Sequence, residues 1–169
     1  MDRSDREVPA YLSLGSNQGD SRRLLEEAVR ALGDVPHTRV IACSRLYRTA
    51  PVGFVDQPDF LNQVIALRTT LAPHDLLDAT QGIERAAGRE RGPRWGPRTL
   101  DIDLLWYDGM RLDDERLHLP HPRLEERRFV LEPLAELAPG LVLVGGDTVA
   151  EALKKTADQT VERCDLTEA

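Results

Sequence analysis

Apolar and polar positions alternate along this 169-residue chain in patterns that predict its elements. Val8 to Leu14 is a short apolar run that stops at Gly15-Ser16-Asn17, a strand entering a turn. Asp20 can cap the helix that follows, where Leu24, Leu25, Ala28, Val29 and Leu32 recur at helical spacing before Gly33. His37 to Thr49 reads as one long strand, Pro51 to Pro58 as a loop, and Phe60 to Thr70 as a further strand. Pro73 suits the first turn of a helix, with Leu76, Leu77, Thr80, Ile83 and Ala87 as its apolar stripe. Gly88 to Arg98 is a Gly/Pro/Arg loop, and Thr99 to Tyr107 a β-rich run. Glu126 to Leu137 and Ala150 to Lys155 complete the set as helices.

The order β-α-β-β-α-β followed by additions predicts an α+β, ferredoxin-like core: an antiparallel sheet with helices on one face. The expected domain runs over 8–155, with weakly structured ends at 1–7 and 156–169. A chain of this length buries enough surface to fold without a disulfide or a structural metal. That core hosts many functions, so the function must come from a site.

Composition narrows the classes. Hydrophobic residues are 41% and charged residues 30% of the chain, as in a globular protein. The net charge of −7 argues against generic binding to nucleic acid or a membrane surface, though a basic pocket can sit on an acidic body. The two cysteines, Cys43 and Cys164, have no metal-ligand spacing and read as reduced thiols. No apolar run approaches the length of a membrane span, and the charged start has no apolar segment behind it. The expectation is a cytoplasmic protein.

Candidate chemistry gathers in the second half. On a strand, Asp101 and Asp103 point to one face while Leu100, Ile102 and Leu104 point to the other. Paired carboxylates on an apolar strand suit Mg²⁺ that also meets phosphate oxygens. From the motif alone, a solvated face whose acids pair with arginines is the favoured reading. From Arg85 to Arg98 there are five arginines and one glutamate, a local excess of positive charge of the kind that binds phosphate. This stretch runs straight into the Asp-x-Asp strand, and phosphoryl-type transfer needs that combination. Gln81 and Glu84 share a helix face, which by themselves they would simply solvate. His118 and His121, with Arg123, Arg127 and Arg128 behind them, suit hydrogen bonding to a polyanion better than zinc. Ser13 to Asp20 lacks both phosphate-loop fingerprints and reads as a strand–turn–helix joint.

The segments YLSLGSNQGD, YRTAPVGFVDQPDFLNQVIAL, RWGPRTLDIDLLWYDG and LHLPHPRLEERRFVLEPLAELAP, in this order, resemble the 6-hydroxymethyl-7,8-dihydropterin pyrophosphokinases of folate biosynthesis. The resemblance covers about residues 9–155. It implies a ferredoxin-like fold and transfer of the terminal diphosphate of ATP to the pterin hydroxymethyl group, with two Mg²⁺ ions and release of AMP. It implies that Asp101 and Asp103 hold metal. It places Gln81, Glu84, Arg89, Arg91, Arg98, Arg116, His118, His121 and Arg127 at ATP, and Thr49, Val52, Phe60, Asn62, Trp95 and Phe129 at the pterin. Arg89 and Arg91 are the catalytic arginines of this reading. A flat heterocycle would stack between Trp95 and Phe129, with Asn62 at its amide edge. The residues themselves show no protein general base, so the hydroxyl's acidity is assigned to metal. Phe60 and Pro122 stand where the family commonly has tyrosine, His118 where it has threonine, and Ala50 where it has proline. The expected partners are the two small substrates, with the chain a monomer. A kinase moving only the γ-phosphate and a non-catalytic nucleotide-binding module are the competing readings. An RNA-binding domain of the same fold would carry aromatics on the strand that here carries Asp-Ile-Asp.

Overall fold

A computed structural model describes residues 6–17, 20–49, 59–91 and 100–164, without the side chains of 89–91. Strand β1 (Val8–Ser16) is followed by α1 (Ser21–Gly33), β2 (Thr38–Cys43), β3 (Tyr47–Thr49) and β4 (Phe60–Thr69). Helix α2 (Pro73–Arg91) and β5 (Asp101–Tyr107) close the expected core. The additions are a hairpin of β6 (Leu112–Asp113) and β7 (His118–Leu119), α3 (Arg128–Leu137), α4 (Val149–Lys154) and β8 (Glu162–Arg163).

The sheet runs β5-β1-β4-β3-β8, with β2 also on β4. The pairings are antiparallel, and β1 pairs β4 along its whole length, from Val8 opposite Thr69 to Ser16 opposite Leu61. This is the ferredoxin-like order expected above. Asp20 caps α1 as expected, its carboxylate accepting from the Arg23 N–H at 3.2 Å. Leu24, Leu25, Ala28 and Leu32 then form one buried stripe, of which Leu25, Ala28 and Leu32 share a core cluster with Leu12, Leu14, Ile65 and Leu67 of the sheet. Each such leucine removed from water contributes about 1.5–3 kcal/mol.

Four expectations change. The long strand over His37–Thr49 is two strands, because Ser44 turns inward: its hydroxyl accepts from the Val64 N–H at 2.9 Å and donates to the Arg45 carbonyl. Helix α2 continues to Arg91, so the first residues assigned to the arginine loop are helical; 92–99 lie outside the described residues. Helices cover both faces, since α3 and α4 pack on Val64 and Leu105, opposite α1 and α2. Residues 156–164 are also tied down. Gln159 accepts from the Arg128 N–H at the start of α3, 3.0 Å away, and the Cys164 N–H donates to Leu46.

Alternation along β5 breaks once. Leu104 pairs Leu12 and Trp106 pairs Tyr11, which leaves Leu105 as an extra residue. Ile102, Leu104 and Tyr107 therefore face α1 and α2, whereas Leu105 and Trp106 face α3 and α4. The shift lets the strand serve the apolar core on both faces at one end. Its other end keeps Asp101 and Asp103 together on the face opposite α1 and α2.

Candidate functional site

The register builds a row across the sheet. Tyr47 of β3 lies opposite Asn62 of β4, Asn62 opposite Gly15 of β1, and Gly15 opposite Asp101 of β5. The next row joins Val64, Ser13 and Asp103. Asp101 and Asp103 thus share a sheet face with Asn62, and Thr49 and Phe60, themselves paired, extend it at the β3 end. Asn62 is only 5% exposed, and its amide donates to the Thr49 hydroxyl at 2.8 Å. Two residues expected at the pterin are therefore already bonded to one another.

Gly15 lies in the candidate site, although the sequence reading passed over it as part of a turn. A Cβ there would stand 3.2 Å from Asn62 Oδ1, so the missing side chain keeps the floor level between amide and carboxylate. The period-two pattern Leu12-Ser13-Leu14-Gly15, large in and small out, is the signal that could have found it.

The β3 end is clamped from α3. Glu136 accepts from the Tyr47 hydroxyl and from the Arg45 N–H, the latter at 3.1 Å. Tyr47 is 3% exposed, so this bond fixes the strand end that neighbours Asn62. At the start of α3, the Arg127 guanidinium lies over the Phe129 ring, 5.5 Å from its centre. A residue expected at ATP and one expected at the pterin therefore touch.

The β5 edge is completed by helix α2. Glu84 accepts the Ile102 N–H at 2.7 Å, satisfying a donor of the edge strand between the two aspartates. Gln81 accepts from Arg116 at 3.2 Å. His118 pairs with Asp113 on the neighbouring strand. His121 is anchored through its backbone N–H to the Leu105 carbonyl at 2.8 Å, and its Nδ1 accepts from the Arg123 N–H at 3.1 Å. That bond leaves Nε2 as the protonated nitrogen of the neutral ring. Burial lowers the His121 pKa below its ordinary value of 6.5; the charge of Asp103 opposes this, and Arg127, Arg123 and His118 add to the lowering. His118, Arg127 and Asp103 thus each sit within electrostatic reach of His121.

Val52, Trp95 and Arg98, and the side chains of Arg89 and Arg91, lie outside the described residues. Among the described residues, no group of three or more His, Cys, Asp or Glu forms a metal cage, and neither cysteine forms a disulfide. No described helix is long and apolar enough to cross a membrane.

A protein named 2-amino-4-hydroxy-6-hydroxymethyldihydropteridine pyrophosphokinase from Methylorubrum extorquens is 53% identical over 154 residues, covering 91% of this chain and 97% of that protein. The protein of the same name from Pseudomonas aeruginosa is 48% identical over 153 residues, covering 90% and 94%. The crystal structure of wild-type Plasmodium falciparum HPPK-DHPS with pterin and p-hydroxybenzoate superposes with a TM-score of 0.69 at 16% identity. The match covers 90% of this chain and 44% of that one, and at this identity it speaks for the fold. Residues 11–139 match the family of 7,8-dihydro-6-hydroxymethylpterin-pyrophosphokinases, and the chain belongs to that family.

Proposed function

We propose that the protein transfers the terminal diphosphate of ATP to the hydroxymethyl oxygen of 6-hydroxymethyl-7,8-dihydropterin and releases AMP, the pyrophosphokinase step of folate biosynthesis. One observation carries the reading at the level of residues. Asn62 and the Asp101/Asp103 pair lie on one sheet face, two strands apart with Gly15 between them. A flat heterocycle held at Asn62 thereby has its substituent beside the carboxylates.

In this reading Asn62 offers the pterin its carbonyl oxygen and its remaining N–H, with Thr49 fixing the amide's orientation. Phe60, Phe129, Val52 and Trp95 supply apolar and stacking surface. Arg116, Arg127, His118 and His121 bind the nucleotide, with Gln81 beside Arg116. Arg89, Arg91 and Arg98 neutralise charge on the phosphates as it redistributes in the transition state. Glu84 holds the edge strand so that Asp101 and Asp103 keep their positions.

Two Mg²⁺ ions belong to the proposal. Mg²⁺ is bound through one or two carboxylates together with substrate phosphates and water rather than by an all-protein cage. Exposed Asp101 and half-buried Asp103, side by side with no third ligand clustered on them among the described residues, fit that donor set. When bound there, Mg²⁺ supplies Lewis-acid stabilisation and raises the acidity of a coordinated hydroxyl. A monomeric cytoplasmic enzyme completes the reading; two cysteines without a disulfide suit a reducing compartment.

The test is an assay with ATP, Mg²⁺ and the hydroxymethyldihydropterin that separates AMP from ADP. Pterin-dependent AMP in step with pterin diphosphate is the expected result. ADP would instead identify a γ-phosphate kinase, and nucleotide binding without turnover a non-catalytic module.

A further inference from the structure

Helix α2 presents His74, Asp78, Gln81 and Glu84 along one side, at spacings of four, three and three residues. Each reaches off the helix to a partner elsewhere in the chain. His74 Nε2 lies 2.7 Å from Asp114 Oδ2. Asp78 and Gln81 both accept from Arg116 Nη2, at 2.6 and 3.2 Å. Glu84 accepts from the Ile102 N–H. Asp114 also accepts the backbone N–H groups of Arg116 and Leu117, each at 2.9 Å. The turn before β7 is therefore fixed at its backbone by Asp114 and at the tip of its arginine by Asp78.

The Asp78 and Arg116 side chains are 59% and 48% exposed. An ion pair so open to water contributes little to stability. Its effect falls on Arg116, whose long side chain is held in one arrangement before any ligand arrives. Both bonds use a single nitrogen, and a guanidinium carries further N–H donors for phosphate oxygens. We infer that Asp78 is a positioning residue for the nucleotide, holding the Arg116 guanidinium ready to meet ATP. This rests on the proposed placing of Arg116 at ATP.

The experiment measures KM for ATP and kcat by AMP formation in the full chain, beside equilibrium binding of a non-hydrolysable ATP analogue. The variants are Asp78→Ala, Asp78→Asn, Arg116→Ala and the Asp78→Ala/Arg116→Ala double. Asp78→Ala should raise KM and the analogue Kd about threefold to tenfold, with kcat within about twofold, as expected for lost ground-state positioning. Asp78→Asn, which keeps an acceptor, should fall between Asp78→Ala and the parent. In the double variant, Asp78→Ala should add nothing to the loss from Arg116→Ala. If Arg116→Ala weakens ATP binding while Asp78→Ala leaves it unchanged or tightens it, the inference is overturned and the placing of Arg116 stands. If Arg116→Ala leaves ATP binding intact, that placing fails and the inference with it.

Discussion

On strand β1, Leu12 and Leu14 are fully buried beneath α1 and α2, while Ser13 and Gly15 face the other way and floor the candidate site. The same contrast holds on β5, where Ile102 and Leu104 pack inward and Asp101 and Asp103 do not. One face is sealed along its length by two helices. Among the described residues, the other is sealed where α3 and α4 rest on Val64 and Leu105, and its remaining end carries the polar rows. Alternate residues of the same strands are thus free to do different work. A change on one face should alter stability with little effect on chemistry, and a change on the other should do the reverse.

The hardest test of that separation pairs the two faces. Asp101→Asn and Asp103→Asn should each lower turnover by on the order of 10²-fold or more, about 3 kcal/mol of transition-state stabilisation, with thermal unfolding close to the parent's. Leu14→Ala should cost about 2–5 kcal/mol of stability through the cavity it leaves, with turnover near normal below the melting range. Denaturant unfolding and steady-state kinetics on all three variants check both halves. A folded Asp101→Asn with full activity would mean that the carboxylate pair is only a solvated strand face.

A milder test acts on the floor. Gly15→Ala introduces a methyl 3.2 Å from Asn62 Oδ1, closer than the amide tolerates without shifting by a few tenths of an ångström. KM for the pterin should rise about threefold to tenfold, since small misplacements of positioning groups carry large penalties. Unfolding free energy should change by less than about 1 kcal/mol, about the centre of the range for single substitutions. A large loss of stability with unchanged pterin KM would assign Gly15 to the core instead.

The sealed face is the more legible of the two in the sequence. Leu24, Leu25, Ala28 and Leu32 announce their helix by spacing, and the alternation around Asp101 and Asp103 is enough to place both carboxylates on one side of their strand. The polar side is harder to read because its residues satisfy local rules as well. Gly15 looks like a turn residue, and Gln81 and Glu84 look like any solvated helix surface. Their roles depend on what stands opposite them: Asn62 from 47 positions away, Arg116 from 35 and Ile102 from 18. Helical spacing is a property of neighbours, and such distant partners do not appear in it. The bend at Ser44 escapes the pattern for the same reason, since its hydroxyl answers to Val64 as well as to the adjacent residue.

The clamp at the end of the site face offers a smaller effect. Tyr47→Phe removes the hydroxyl that donates to Glu136 and leaves the ring packed. One hydrogen bond contributes about 0.5–1.5 kcal/mol. Because Glu136 is exposed, water can replace the lost donor, and the loss should lie toward the lower end. Urea unfolding should show that loss, and KM for the pterin should rise slightly through the neighbouring Asn62. Equal stability in the two proteins would mean that Glu136 is held by the Arg45 N–H alone.

The smallest signal comes from His121, a titratable group that the site face holds under partial cover. Burial disfavours its charged form, and this outweighs the pull of Asp103, so the folded midpoint lies below the unfolded value of about 6.5. Between the two values the unfolded chain binds a proton that the folded chain refuses. The contribution of neutral His121 to stability is therefore complete above the unfolded pKa and is lost as pH falls through the folded one. NMR titration of the ring protons in protein without added metal should place the midpoint below 6.5. In Asp103→Asn the opposing charge is gone and the midpoint should fall further. A midpoint that does not move in that variant would remove Asp103 from the neighbourhood of His121, and would divide the nucleotide end of the site from its carboxylates.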